Sequence, residues 1–332
     1  MDKLRVGIIG LGFFGEKHAE VFADMRGVEL AAVCTRRDAR RQEVADRFCV
    51  PANYADFHDL LADPNIDAVS IVTHVNDHRD IAVAALDAGK HVFLEKPMAG
   101  TVADCDMILT AAERADGLFM VGHICRFDTR ISQAKDAIEK GRIGRIISMH
   151  AARNLPAHIT GQVLNKISPL MGDGIHDTDI MLWLTGSQIR TVYAQNVRVR
   201  DLVYPDIGWA MYRFENDAVG VVETVWCLPE KTPFTIDARL EVIGTEGAIY
   251  VDCGNAGLVI NDASGVHKPD TAYWPHLHGA SVGALRNEIS YFVDCIANGC
   301  PPTVVTPDAA REAVAVMCAA EKSAASGAVV TL

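Results

Sequence analysis

Through the first part of the chain, short apolar runs alternate with longer stretches whose apolar residues recur at helical spacing. Leu4 to Ile9, Glu29 to Cys34, Ala68 to Val72, His91 to Leu94 and Phe119 to Val121 have strand length and an almost continuous apolar character, as strands buried on both faces do. Phe14 to Met25, Asp80 to Ala88 (closed by Gly89) and Val102 to Ala115 read as the helices between them. Strands and helices alternating at this spacing predict a parallel, doubly wound α/β sheet that ends near Gly122.

Beyond Gly122 the pattern changes. A helix from Arg130 to Glu139 is followed by strand-like runs at Ile146–Ala152, Thr191–Val199, Ala210–Phe214, Ala218–Val225, Arg239–Ile243, Ala248–Val251 and Leu258–Ile260. Asn216-Asp217 and Glu246-Gly247 are hairpin-turn pairs. Consecutive strands without intervening helices predict an α+β second domain with a large, mostly antiparallel sheet, closed by helices at Gly283–Ala297 and Pro307–Ser326. A chain of 332 residues exceeds one ordinary core, so two domains are expected, 1–122 and 123–332.

Composition narrows the classes. The chain is 49% apolar and 22% charged, and its net charge of −12 argues against a nucleic-acid or anionic-membrane surface. No apolar stretch reaches transmembrane length, and Met1 leads into an apolar run too short for a signal peptide, so a cytoplasmic protein is expected. Nine cysteines form no C-x-x-C pair and several lie in apolar runs, the pattern of reduced core residues.

Three stretches carry candidate chemistry. Gly10-Leu11-Gly12-Phe13-Phe14-Gly15 is a G-x-G-x-x-G between a strand and a helix, the context of a Rossmann dinucleotide site. Gly10 permits the turn, Gly12 lets backbone approach a pyrophosphate, and Gly15 lets the helix pack on the strand; the N–H groups around Phe13 and Phe14 would face the phosphates. The second strand ends at Thr35, about 20 residues past the last glycine, where NAD-preferring folds place an acid on the ribose 2′-OH. Thr35, Arg36 and Arg37 stand there, with Arg40 and Arg41 a turn later. A hydroxyl and guanidinium forks would bind a 2′-phosphate that an acid would repel, so NADP(H) is favoured over NAD(H); an ordinary basic helix face diluted by Asp38 is the alternative.

The second stretch is His91-Val92-Phe93-Leu94-Glu95-Lys96-Pro97. Ligands of open parallel sheets sit beyond the carboxyl ends of the strands, so Lys96 is a candidate for proton chemistry rather than a surface lysine. The third is Gly172-Asp173-Gly174-Ile175-His176-Asp177, where Asp173 and His176 share one helix face. They form either a proton-transfer pair or a helix cap with a neighbouring histidine. No cysteine or second histidine stands at ligand spacing, so no metal is expected.

With these residues in view, the chain resembles the glucose–fructose oxidoreductase/inositol dehydrogenase (Gfo/Idh/MocA) family over essentially its full length. The landmarks are the Gly10–Gly15 loop, Thr73 with His78, Ala84-Ala85-Leu86-Asp87-Ala88-Gly89-Lys90-His91-Val92, Glu95-Lys96-Pro97, Gly122-His123 with Arg126-Phe127, Gly141–Ile147, Gly174-Ile175-His176 with Asp179, and Gly244-Thr245-Glu246-Gly247. The family oxidises or reduces one carbon of a sugar, polyol or related ring with NAD or NADP. The resemblance implies that Lys96 reaches the reacting oxygen and that His176 is the acid/base. It also implies that Thr73, His74, His78 and Glu95 join the cofactor site, that Arg126 and Asp173 join the substrate site, and that an open-faced sheet is buried in homodimers or homotetramers. The family usually has an Asp four residues before the histidine; here that position is Gly172, and the nearest acid is Asp173. On a regular helix this offset turns the carboxylate by about 100°, unless the helix breaks at Gly174.

The reading that follows is a dehydrogenase of a secondary alcohol on a sugar or cyclitol. A glycosidase of the same fold that oxidises C3 transiently, and a non-catalytic dinucleotide sensor, are the alternatives; retention of both Lys96 and His176 argues against the sensor. Arg153-Asn154, Trp226 and His276-Leu277-His278 are expected to line the substrate pocket.

Overall fold

A computed structural model describes residues 3–161, 163–252 and 257–332. It divides into two compact units, Met1–Phe127 with Tyr273–Arg311 and Asp128–Ala272 with Glu312–Leu332. The compact units differ from the division expected at residue 122: the first runs on to Phe127, and a late segment returns to it. Three contacts fix the return. Phe292 meets Phe93 edge-on at 5.6 Å, Arg126 donates to the Val304 carbonyl at 2.6 Å, and Arg286 pairs with Asp24 at 2.8 Å. Local periodicity carries no information about such long-range packing.

The first unit holds strands β1 (Leu4–Ile9), β2 (Val28–Cys34), β3 (Ala52–Tyr54), β4 (Ala68–Ile71), β5 (His91–Glu95) and β6 (Phe119–Gly122). Its helices are α1 (Phe13–Ala23), α2 (Asp38–Phe48), α3 (Phe57–Ala62), α4 (Val75–Asp87) and α5 (Val102–Arg114), followed by a 3-10 turn at Ile124–Phe127. The strands are parallel in the order β3-β2-β1-β4-β5-β6, so the winding reverses between β1 and β4, where open α/β sheets bind ligands. β3 is short and polar and α3 spans under two turns, so neither imposes a period on the sequence. α4 begins at Val75 rather than Asp80, because its first turn is polar.

The second unit begins with α6 (Thr129–Glu139), β7 (Ile146–Pro156), the short α7 (Ala157–Thr160) and α8 (Ile175–Thr185). Then come β8 (Ile189–Val197), β9 (Ile207–Phe214), β10 (Val219–Leu228), β11 (Asp237–Gly244) and β12 (Ala248–Asp252). Two hairpins follow, β13 (Ile260–Asp262) with β14 (Gly265–His267) and, in the first unit, β15 (His276–Leu277) with β16 (Ala280–Ser281). Leu258 and Val259, expected in a strand, precede β13. α9 (Ala284–Asn298), α10 (Pro307–Ser326) and β17 (Val330–Thr331) end the chain.

The sheet order is β12-β11-β7-β10-β9-β8-β17, antiparallel except where β10 lies parallel to β7. Asp217 takes a left-handed φ of 66° in the turn between β9 and β10, as its place in the expected hairpin requires. Burial alternates along β9 and β10, and Val192, Ala194, Ala210, Tyr212, Val222 and Leu240 are buried on one face. Across the other face the register aligns Tyr193, Met211, Val221, His150, Glu241 and Tyr250 in one row.

Cysteines 34, 105, 125 and 295 are buried, and burial pushes the Cys34 thiol up to about 12. Cys49 and Cys300 are exposed instead, and Cys253 lies outside the described residues. Among the described residues no helix is long and apolar enough to cross a membrane.

Candidate dinucleotide and acid/base residues

In the first unit the glycine loop has the geometry its sequence implies. Gly10 has φ 99°, and a side chain there would run into the Val72 carbonyl. A Cβ on Gly15 would strike the Gly10 carbonyl, so this position admits only hydrogen. Gly12 differs: a Cβ built on it meets nothing within 4 Å. Nearby, the Thr73 Oγ1 is buried without a hydrogen-bond partner. An open space over Gly12 and an unsatisfied hydroxyl at the end of β4 both fit a dinucleotide laid across the helix terminus. Phe13 is 68% exposed, and Phe14 packs edge-on to Trp274 at 5.5 Å.

The basic stretch after β2 is not uniformly available. Arg37 donates to the Leu11 carbonyl at 2.8 Å and Arg40 to the same oxygen at 3.2 Å, bracing the glycine loop. Arg40 and Arg47 pair with Glu16, removing a negative charge from the first turn of α1. Arg41 bonds the Thr35 carbonyl. Of the residues expected at a 2′-phosphate, Arg37 therefore serves the loop, whereas Arg36 is exposed and Thr35 half-buried.

Two predicted cofactor ligands lie inside the protein. The Glu95 carboxylate is buried, 3.1 Å from His18 Nε2, and it accepts from the Lys96 backbone N–H at 3.2 Å. His18 Nδ1 lies 2.9 Å from Ser70 Oγ, so an Nε2–H tautomer donates to Glu95 while accepting from the serine. His78 is buried, with Nδ1 2.8 Å from the Pro97 carbonyl and Nε2 3.3 Å from the Thr73 carbonyl. Burial pushes its pKa down, and a neutral ring, with a single N–H, donates to the nearer Pro97 carbonyl in the loop after β5. Glu95 and His78 thus hold the backbone on either side of the Lys96 side chain. His74 stands exposed at the N-cap position of α4, and Lys96 is half-buried before a cis bond to Pro97. His18 was missed by sequence reading; its signal is its place one turn into α1, three residues after Gly15.

In the second unit the helix does break before His176. Leu170–Gly174 form a π-helical turn ahead of α8, which changes the phase of Asp173 relative to a regular helix. Asp173 Oδ1 lies 4.0 Å from His176 Nε2, and its Oδ2 accepts from Trp226 Nε1 at 2.8 Å. Asp173 makes no N-cap bond: α8 has no side-chain cap. Arg153, expected at the substrate, is buried and gives two hydrogen bonds to Asp177, at 3.1 and 2.8 Å. Burial pushes the Asp177 carboxyl above the ordinary carboxylate range, and the guanidinium opposes that shift. Arg126, also expected at the substrate, is buried in the first unit against Val304. Asn154 bonds Glu223 at 2.8 Å, and His276 sits 3.6 Å from Glu20. Among the described residues no group of three or more His, Cys, Asp or Glu could hold a metal ion.

The family profile described as an oxidoreductase family with an NAD-binding Rossmann fold matches residues 4–123, and that of the GFO/IDH/MocA C-terminal domain matches residues 131–250. The myo-inositol 2-dehydrogenase of Thermotoga maritima is 30% identical over 315 residues, 92% of each chain. The scyllo-inositol 2-dehydrogenase (NAD(+)) of Bacillus subtilis is 28% identical over 92% of this chain and 90% of its own. The crystal structure of scyllo-inositol dehydrogenase from Lactobacillus casei with bound NAD(H) and scyllo-inositol shares the fold, with a TM-score of 0.86, 22% identity and 99% of each chain covered. The chain belongs to the Gfo/Idh/MocA family of NAD-binding oxidoreductases.

Proposed function

We propose that this protein is an NAD(P)-dependent dehydrogenase/reductase that acts on a secondary alcohol of a cyclitol, sugar or sugar derivative. The observation that carries the reading is the buried His176 with the Asp173 carboxylate 4.0 Å from Nε2. A neutral imidazole beside a carboxylate takes a hydroxyl proton, and the carboxylate stabilises the imidazolium that results. Lys96 polarises the oxygen as its proton leaves, from a backbone that Glu95 and His78 hold. A bound nicotinamide would supply the hydride acceptor. Gly10, Gly12 and Gly15 would cradle its pyrophosphate, and Thr73 would use its unpaired hydroxyl. Thr35 and Arg36 support NADP(H) over NAD(H), since a threonine rather than an acid stands directly after β2, where an acid would repel a 2′-phosphate.

The exposed sheet face supports a homodimer or homotetramer. Trp209 and Met211 are 41% and 52% exposed, and Tyr250 is 71% exposed, a concentration of apolar surface unusual for a monomer. The test of function is turnover: myo-inositol, scyllo-inositol, free sugars and uronic acids are screened with NAD+ and NADP+ for growth of reduced-nicotinamide absorbance. Oxidation of at least one cyclitol is expected. No turnover of any polyol with either cofactor would overturn the reading.

A further inference from the structure

The Trp226 side chain occupies a singular place beside the acid/base pair. Its indole is 3% exposed and packs with Leu155 and Leu164, flanked by Ile159, Ile167 and Ile236. Both of its backbone groups are tied: the N–H donates to the Asp206 carbonyl at 2.9 Å, and its carbonyl accepts from Thr160 Oγ1 at 2.5 Å and Arg200 Nη2 at 2.7 Å. In this enclosed position Nε1 points at Asp173 Oδ2, 2.8 Å away. The same ring fills the space next to the π-turn. A Cβ on Gly172 would lie 2.5 Å from its Cη2 and 2.9 Å from its Cζ2. Position 172 therefore cannot carry a side chain while the indole is there, and the acid that approaches His176 comes from position 173.

We infer that Trp226 is a positioning residue that holds the Asp173 carboxylate toward His176, with Gly172 as the vacancy that admits its ring. A carboxylate with one oxygen bonded to a fixed indole N–H cannot swing to solvent, so its other oxygen remains on the imidazole side. Arg153 is engaged with Asp177 and Glu223 with Asn154, whereas the Trp226 indole N–H goes to Asp173. The inference rests on the reading of His176 as the acid/base.

The test is a mutant cycle on a polyol that the wild type oxidises. Trp226→Phe keeps an aromatic filler and removes the donor. It should lower kcat by about tenfold, the effect of one lost hydrogen bond to a charged group, with KM for polyol and cofactor within about twofold of wild type. The Trp226→Phe/Asp173→Asn double variant should be no slower than Asp173→Asn alone, because the indole acts only through that carboxylate. Gly172→Ala, which displaces the ring without touching its N–H, should reproduce the kcat loss and likewise lose its effect in the Asp173→Asn background. Wild-type kcat in both Trp226→Phe and Gly172→Ala, or losses that multiply with that of Asp173→Asn, would overturn the inference while leaving the acid/base assignment intact. Wild-type turnover by His176→Gln and Asp173→Asn would instead remove the assignment beneath it.

Discussion

Replacing Arg153 by Met removes one half of an ion pair sealed between β7 and α8. Arg153 is 4% exposed and Asp177 2%, and the guanidinium satisfies both carboxylate oxygens. The substitution keeps most of the packing volume and leaves a buried carboxylate with no counter-charge. Breaking such a pair from one side costs about 3–5 kcal/mol, a fall in melting temperature of roughly 6–20 °C at about 2–4 °C per kcal/mol. The pH dependence has a definite sign. Burial already pushes the Asp177 carboxyl up, and without Arg153 its folded pKa rises further above its unfolded value. The folded state then binds more protons than the unfolded one, so the variant loses stability as pH rises from the unfolded-state carboxylate value through the folded pKa. The deficit should be smaller near pH ~5 than near pH ~8. Thermal and urea melts followed by circular dichroism at both pH values measure it. Arg153→Met/Asp177→Leu should lie closer to wild type than Arg153→Met, since no lone charge is left. A deficit under about 1 kcal/mol near neutral pH, or one that grows on acidification, would refute the reasoning.

Thr35→Asp should weaken NADP+ and improve NAD+ relative to it, read as the ratio of kcat/KM values; a wild type that already prefers NAD+ by about tenfold, roughly 1.4 kcal/mol, contradicts the reading of that loop. His78→Leu should cost about 1–3 kcal/mol by leaving the Pro97 carbonyl unpaired. Because burial depresses the His78 pKa, wild-type stability should decline as pH falls below about 6.5 and the variant should lose part of that decline, as paired melts will show. Trp209→Glu, at the centre of the exposed sheet face, should shift the mass measured by light scattering toward the monomer; a monomeric wild type at micromolar protein contradicts the assembly.

Much of the fold was legible because its signals are local. Buried parallel strands such as Ile8-Ile9 and Val92-Phe93-Leu94 are continuous apolar runs, and the glycine loop sits at a strand–helix joint where three steric demands coincide. Strand-like runs at Ala210–Phe214 and Ala218–Val225, joined by a turn pair with no helix between them, announced an antiparallel sheet. The return of Tyr273–Arg311 to the first unit was not legible, since Phe292 meeting Phe93 leaves no trace in spacing. At the site, residue type did not show which of the charged candidates also make bonds inside the protein: Arg153 with Asp177, Arg126 with a carbonyl, Glu95 with His18. Residue type alone does not tell a guanidinium that meets substrate from one that meets an aspartate. The Asp173 offset was legible as an anomaly; the π-turn and the indole that make sense of it required coordinates.

The central claim is that Lys96 and His176 perform chemistry on a polyol, and Lys96→Ala tests it most directly. The measurement is steady-state kcat on a polyol the wild type oxidises, with cofactor affinity followed in parallel by nicotinamide fluorescence. If the ammonium stabilises the oxygen as its proton leaves, kcat falls by about 10²–10³, the range for loss of one electrostatic donor, while cofactor binding changes by less than about threefold. Full turnover by Lys96→Ala would contradict the account.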